Sequence, residues 1–302
     1  MTRIATVALQ TTMSDAIQRT QQRLADVQRQ LATGKTAPDL ASLGSETTRH
    51  LSARSLVSRQ EAEAAVAQRV GTTLSLYDAH LTAIDDTATE LRAKIFEAIG
   101  TGQSSGLAGS IEGAFDLVRA SLNASEGGVP LFGGGQSDTA PFRPGSLSDT
   151  VGVPAADAFA NGQIRTSARV SDGLDLPFGQ LADAVGARLF EAFRTLAEAG
   201  PIGETPDAAQ TSALQAAITQ IDDALQDVRG ANAANGLRQS RLESLSARSE
   251  ERLNVLRGVI SENEDADLAE VAIELAQQQA RLEASYSVFS RLSRLSLSDY
   301  LR

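Results

Sequence analysis

The chain has no cysteine and no tryptophan, only two lysines (Lys35 and Lys94), and aromatics amount to 4% of its 302 residues. Each shortage excludes something. Large single cores draw on aromatic volume, so a chain this poor in it is expected to pack long helices along seams instead. With a net charge of −11 and no basic run, the sequence lacks the Lys and Arg density that neutralises phosphates, so nucleic acid is not an expected partner. No apolar run approaches the length that crosses a bilayer, and membrane insertion is not expected. The opening "MTRIATVALQTTMSDAI" lacks the sustained apolar stretch and cleavage site of a secretory signal. Absence of Cys fits a cytosolic chain or one exported unfolded equally well.

What is present is periodicity. Met13, Ile17, Thr20, Leu24, Val27 and Leu31 recur at gaps of four and three, the pattern of a helix with one sticky seam. A second seam runs Val70, Leu74, Tyr77, Leu81, Ile84, Ala88, Leu91, Ile95. A third runs Leu214, Ile218, Ile221, Leu225, Val228, Asn232, Asn235, Gln239, Leu242, Leu245. A fourth runs Leu268, Val271, Leu275, Gln278, Leu282, Ser285, Phe289, Leu292. Continuous from Pro206 to Ile260, the third helix would span about 80 Å at about 1.5 Å per residue. Shorter helices are predicted over Leu107–Leu122 and Leu181–Leu196. Between them, Gly127 to Phe178 is rich in Gly, Pro, Asp and Ser and has no helical period. There "VPLF", "APFRP" and "GQIRTSARV" read as short strands, the last with Ile164, Thr166, Ala168 and Val170 on one face. This insert is expected to be a small β-rich lobe with little core of its own.

Candidate chemistry does not survive inspection. The Gly34-Lys35-Thr36 triplet lacks the second glycine of a phosphate loop, since Arg29 stands five places before Gly34. Gly34 instead suits the left-handed residue that ends a helix, with Lys35 at the negative end of the dipole and Pro38 beyond. His50 and His80 have no neighbouring His or Cys and are expected at a surface or interface. "SENEDADLAE" (261–270) fails the calcium-loop test, with Leu268 where Gly is needed; Asp267 with Glu270 reads better as a helix cap. "FGGGQ" (132–136) has no downstream Lys-Ser/Thr and reads as a flexible turn. The pairs Asp85-Asp86 and Asp222-Asp223 lie inside helices, where adjacent side chains diverge. No catalytic, cofactor-binding or metal-ligating set is predicted.

Three segments resemble the flagellin superfamily. "RLADVQRQLATGKTAPDLASLG" resembles its N-terminal signature, and "LFGGGQSDTAPF" the segment that opens the β-rich region of hook-associated members. "ANGLRQSRLESLSARSEERLNVLRGVISENEDADLAEVAIELAQQQARLEASYSVFSRLSRLSLSDYL" resembles its C-terminal half, and the "SLSDYL" finish is similar to that of members at the hook–filament junction. The resemblance implies a mainly α fold, a long antiparallel helical rod or coiled coil from both chain ends with a small β-rich insert in the middle. Its parts would be 1–45, an N-terminal amphipathic helix pairing with 261–302; 46–126, the ascending rod; 127–180, the insert; 181–260, the return rod; and 261–302, the C-terminal amphipathic helix. It implies a structural, non-enzymatic subunit joining hook to filament outside the cell, exported by the flagellar type III route without a cleaved signal. Implied partners are the hook-side junction protein, flagellin, copies of the chain in a ring and an export chaperone. The alternatives are a minor or divergent flagellin of the filament, which Arg302 past the final Leu resembles, and a cytosolic coiled-coil scaffold, which would explain the heptads alone. The expected assembly seam is Ile17, Leu24, Val27, Leu31, Leu268, Val271, Leu275, Leu282, Phe289, Leu292, Leu297 and Tyr300.

Overall fold

The computed structural model describes the backbone of residues 2–36 and 47–300, and the side chains of 11–36, 47–262 and 264–291. Pro38 and the loop around it lie outside the described residues. The fold is mainly α. The helices are α1 (Thr2–Thr33), α2 (Thr47–Thr101), α3 (Leu107–Leu122), α4 (Ala155–Ala158), α5 (Ala182–Glu198), α6 (Ala208–Glu264) and α7 (Leu268–Tyr300). Two small antiparallel hairpins are present, β1 (Ser125–Glu126) with β2 (Val129–Pro130) at the start of the insert and β3 (Ser167–Ser171) with β4 (Leu174–Pro177) inside it. Backbone contacts divide the chain into two units, 1–59 with 252–302, and 60–251.

In the 60–251 unit, every residue of the second predicted seam is buried, from Val70 through Tyr77 to Ile95. Spacing by threes and fours keeps one stripe facing inward over seven turns, and removing it from water is the main favourable term. The matching stripe of α6 is Leu214, Ala217, Ile221, Ala224, Leu225 and Val228. Helix α6 begins with a reciprocal cap: Gln210 N donates to Asp207 Oδ1 (2.8 Å), and Asp207 N to Gln210 Oε1 (3.1 Å). Opposite chain direction in α2 and α6 is recorded by bonds between them. Arg229 pairs with Asp85, Asn235 Nδ2 donates to Leu74 O (2.8 Å), and Ser249 Oγ donates to Gln60 Oε1 (3.0 Å). Asp85 and Asp222 thus hold arginines, Asp222 taking Arg92.

The insert departs from expectation. Its phenylalanines join the main core: Phe142 lies 5.9 Å, ring centre to ring centre, from Phe115 of α3, and 6.0 Å from Phe190 of α5. Phe159 packs 5.3 Å from Phe142 and 6.2 Å from Phe190. Asn123 fixes this strand-like stretch by bonding both the N–H and the C=O of Phe142. The expected long strand shortens to β3, and Ile164 and Thr166 fall outside it, with Ile164 76% exposed. β3 turns back at Asp172–Gly173 onto β4, where Arg169 and Asp175 sit opposite each other and pair. "FGGGQ" is not a slack turn. Gly162 N donates to Gly133 O (2.9 Å), and a Cβ on Gly134 would come within 2.4 Å of Gly162 O. Gly134 also has φ +60°, so both close approach and the left-handed backbone require glycine there.

Candidate assembly surface

In the other unit, α1 and α7 pack against each other in opposite directions. Gln21 Nε2 donates to Tyr286 Oη (2.6 Å) near the middle, while at one end Thr36 N donates to Glu264 O (2.8 Å) and Ala266 N to Gly34 O (2.9 Å). Gly34 does end α1, at φ +68°, with its N–H bonded to Gln30 O (2.8 Å). Asp267 Oδ1 accepts from Ala269 N (2.9 Å) and Glu270 N (3.3 Å), which starts α7 as the acidic cap predicts.

The expected seam residues whose side chains are described differ in burial. Ile17, Val27 and Val271 are buried, and Leu24, Leu275, Leu282 and Phe289 are half-buried. Gln278 is buried among them at 4% exposure. Two of the expected seam residues are exposed within the single chain. Leu31 is 39% exposed, because after Val27 the stripe steps by three to Gln30, whose side chain donates to Thr36 O (2.9 Å). Leu268 is 51% exposed at the first residue of α7. Backbone helix continues through Leu292, Leu297 and Tyr300, but their side chains lie outside the described residues.

The seam closes on a charged clasp that the sequence did not reveal. Lys35 Nζ lies 2.6 Å from Asp265 Oδ1 and 3.0 Å from Glu264 Oε2. Arg54 Nη2 reaches Glu264 Oε1 (2.6 Å), and His50 Nε2 lies 2.7 Å from the same oxygen. His50 is wholly buried, so of the surface or interface position expected for it the surface is excluded; its carboxylate partner is too distant in sequence for a local pattern to find. Burial raises the Glu264 carboxyl, but Lys35, Arg54 and His50 outweigh it and hold the group below its ordinary value. The bonds from Lys35 and Ser261 likewise lower Asp265, and Asp265 and Glu264 raise Lys35. Lys35 therefore serves a long-range ion pair within the chain as well as a helix end.

This arrangement can hold two helices in register and present apolar edges. Ile273 (62% exposed), Tyr286 (46%) and Val288 (45%) lie off the seam, on surface the heptad pattern did not count. No group of three or more His, Cys, Asp or Glu that could hold a metal occurs among the described residues. His80 is a lone half-buried imidazole that burial pushes down from its ordinary value. No described helix is long and apolar enough to cross a membrane.

Residues 218–301, most of α6 and all of α7, match the family model of the bacterial flagellin C-terminal helical region. The C-terminal segment is thus similar to the helical region that closes bacterial flagellins. The flagellin-like fold extends well beyond it. A structure described as a flagellar hook-associated protein from Vibrio parahaemolyticus superposes with a TM-score of 0.61 at 19% identity, over 74% of this chain and 100% of that one. Bacillus cereus FlgL superposes at 0.56 and 15% identity, over 70% of this chain and 98% of that one. No curated protein matches the sequence. The flagellin-like segment contains the carboxylates of the clasp and the α7 half of the seam.

Proposed function

We propose that this chain is a structural subunit of the bacterial flagellum, placed between hook and filament. The observation that carries the reading is coextension: a flagellar hook-associated structure and FlgL are each matched along essentially their whole length by this one chain. An antiparallel pair of helices with a half-buried apolar stripe supports it, since such a stripe gains further burial when neighbouring subunits add helices. On this reading the subunit is structural rather than catalytic and lies outside the cell, after export without a cleaved signal. It meets a hook-side protein, flagellin and copies of itself, and is escorted by an export chaperone. A second reading, a divergent flagellin of the filament, is favoured by the match of residues 218–301 to a flagellin region.

Deleting the gene separates the readings. A junction subunit leaves complete hooks without attached filaments and flagellin in the medium. A minor flagellin leaves filaments that are shorter, altered or normal, and a cytosolic scaffold is absent from the hook-attached fraction. Attached full-length filaments on the deletion strain, with no second copy of the gene, would end the junction reading. Leu24→Asp or Leu282→Asp should reproduce the deletion while the helices of 60–251 still fold, because an unpaired charge on the stripe opposes its burial.

A further inference from the structure

One cavity, of about 410 Å³, opens at the C-terminal end of α5. Buried Ile111, Phe115, Leu196 and Ile202 form its floor, and the exposed carboxylates of Glu112 and Asp116 stand on its rim. Its size suits a ligand pocket, about 300–1,000 Å³, but its floor offers no convergent polar groups to orient a small molecule. An apolar tip beside a cation is what it can take. Asp116 pairs with Arg119 (3.1 Å), whereas Glu112 has no ionic partner among the described residues.

At the opposite end of α5 stands a group of that description. Ile164, at 76%, is the most exposed large apolar side chain among the described residues. Its loop is tied to the first turn of α5: Asn161 Nδ2 and Gln163 Nε2 donate to the two carboxylate oxygens of Asp183 at 2.9 and 2.7 Å. The neighbouring Arg165 makes no ion pair among the described residues and bears as a like charge on Arg238. Arg238 has a buried Nη1 without a partner, and burial together with Arg165 pushes its guanidinium down. Arg165, next to the exposed isoleucine, and Arg238, close enough to feel its charge, make no ion pair among the described residues, while a cavity with two rim carboxylates lacks a plug.

We propose that Ile164 of one copy enters the Glu112/Asp116-rimmed cavity of the next, with Arg165 meeting the carboxylates. Asp183 and Leu196 mark the two ends, about 20 Å apart at about 1.5 Å per residue. Plug and socket therefore lie at opposite ends of a stiff helix, so a copy cannot fill its own cavity. The contact is heterologous, and repeated it makes a closed ring or an open helix. It deepens the proposed function and rests on that reading for its place in a flagellum.

Absence of native cysteine makes the test direct. Purified Ile164→Cys and Ser148→Cys chains, the latter on the cavity rim, are mixed at high concentration and oxidised. The expected result is a 164–148 disulfide at about ten times the yield of either chain with a Val129→Cys control. Arg165→Glu or Glu112→Arg should each reduce that yield severalfold, and the two reversals together, one on each chain, should restore it. Circular dichroism confirms that each variant remains helical. Cross-linking no better than the control, or a yield indifferent to both charge reversals, overturns the contact. If the disulfide forms as described while the deletion strain keeps its filaments, the contact stands and the flagellar reading falls.

Discussion

The two units use the same heptad spacing to different ends. In 60–251 the stripe from Val70 to Ile95 is fully buried, and aromatic side chains from the insert, α3 and α5 fill the remaining volume. In the α1–α7 unit, buried Ile17, Val27 and Val271 alternate with half-buried Leu24, Leu275 and Leu282, and a glutamine occupies a central place. The first is finished within one chain. The second holds back apolar area, and a charged clasp at one end fixes its register. Equal periodicity therefore does not mean equal stability: what lies over the stripe decides how much each residue contributes.

Truncation should expose that difference most strongly. Phe190→Ala removes a ring that packs on Phe142 and Phe159, and is expected to cost about 3–5 kcal/mol in urea unfolding. Phe289→Ala, at a half-buried site, should cost less than half as much in the isolated chain. Equal losses would erase the distinction between the units. Next in size, Gly186→Ala would bring a Cβ within 2.8 Å of Leu122 Cδ1 and 3.3 Å of the Phe159 ring, an overpacking expected to cost about 1–3 kcal/mol.

Acid should then separate the units. Glu264 and Asp265 have folded values below their ordinary 4.5 and 3.8, so their contribution is full above those values and is lost as pH falls through the depressed ones. Lys35 is raised, so its share persists through neutral pH and is lost only above its ordinary 10.5, as pH rises through the folded value. Amide protection in α1 and α7 should therefore fall below about pH 4 before that in α2 from Val70 to Ile95. Glu264→Gln should lower the stability of the α1–α7 pair at pH 7 by about 1 kcal/mol, its partners Lys35 and Arg54 being half exposed. It should also flatten the acid response. Smallest of all, Leu31→Ser should change stability by less than about 0.5 kcal/mol. A larger loss would return Leu31 to the seam.

How much of this was legible in the sequence depended on range. Val70 to Ile95 could be read residue by residue, because one long helix with one buried face keeps its period. Gly34 and Asp267 could also be read, since a helix end is decided by a few neighbouring residues. Leu31 falls off the stripe within the single chain because a heptad count allows the last step to be three or four, and Gln30 wins by bonding Thr36 O. Phe142 and Phe159 looked like a core too small to matter, because their partners, Phe115 and Phe190, come from helices outside the insert. His50 and the clasp around Glu264 were invisible for the same reason. The plug and cavity had no pattern at all, being made of loop residues and side chains from separate elements.

Pairing of α1 with α7 also sets a clock. The ribosome must add every residue between Thr33 and Leu268 before α7 even begins. At about 5–20 residues per second that interval is roughly 12–50 seconds. Throughout it Ile17, Leu24 and Val27 have no α7 stripe to lie against, whereas α2 and α3 can already begin to pack. Any factor that recognises the N-terminal helix in its unpaired form finds it in every newly made chain, and loses it once α7 arrives.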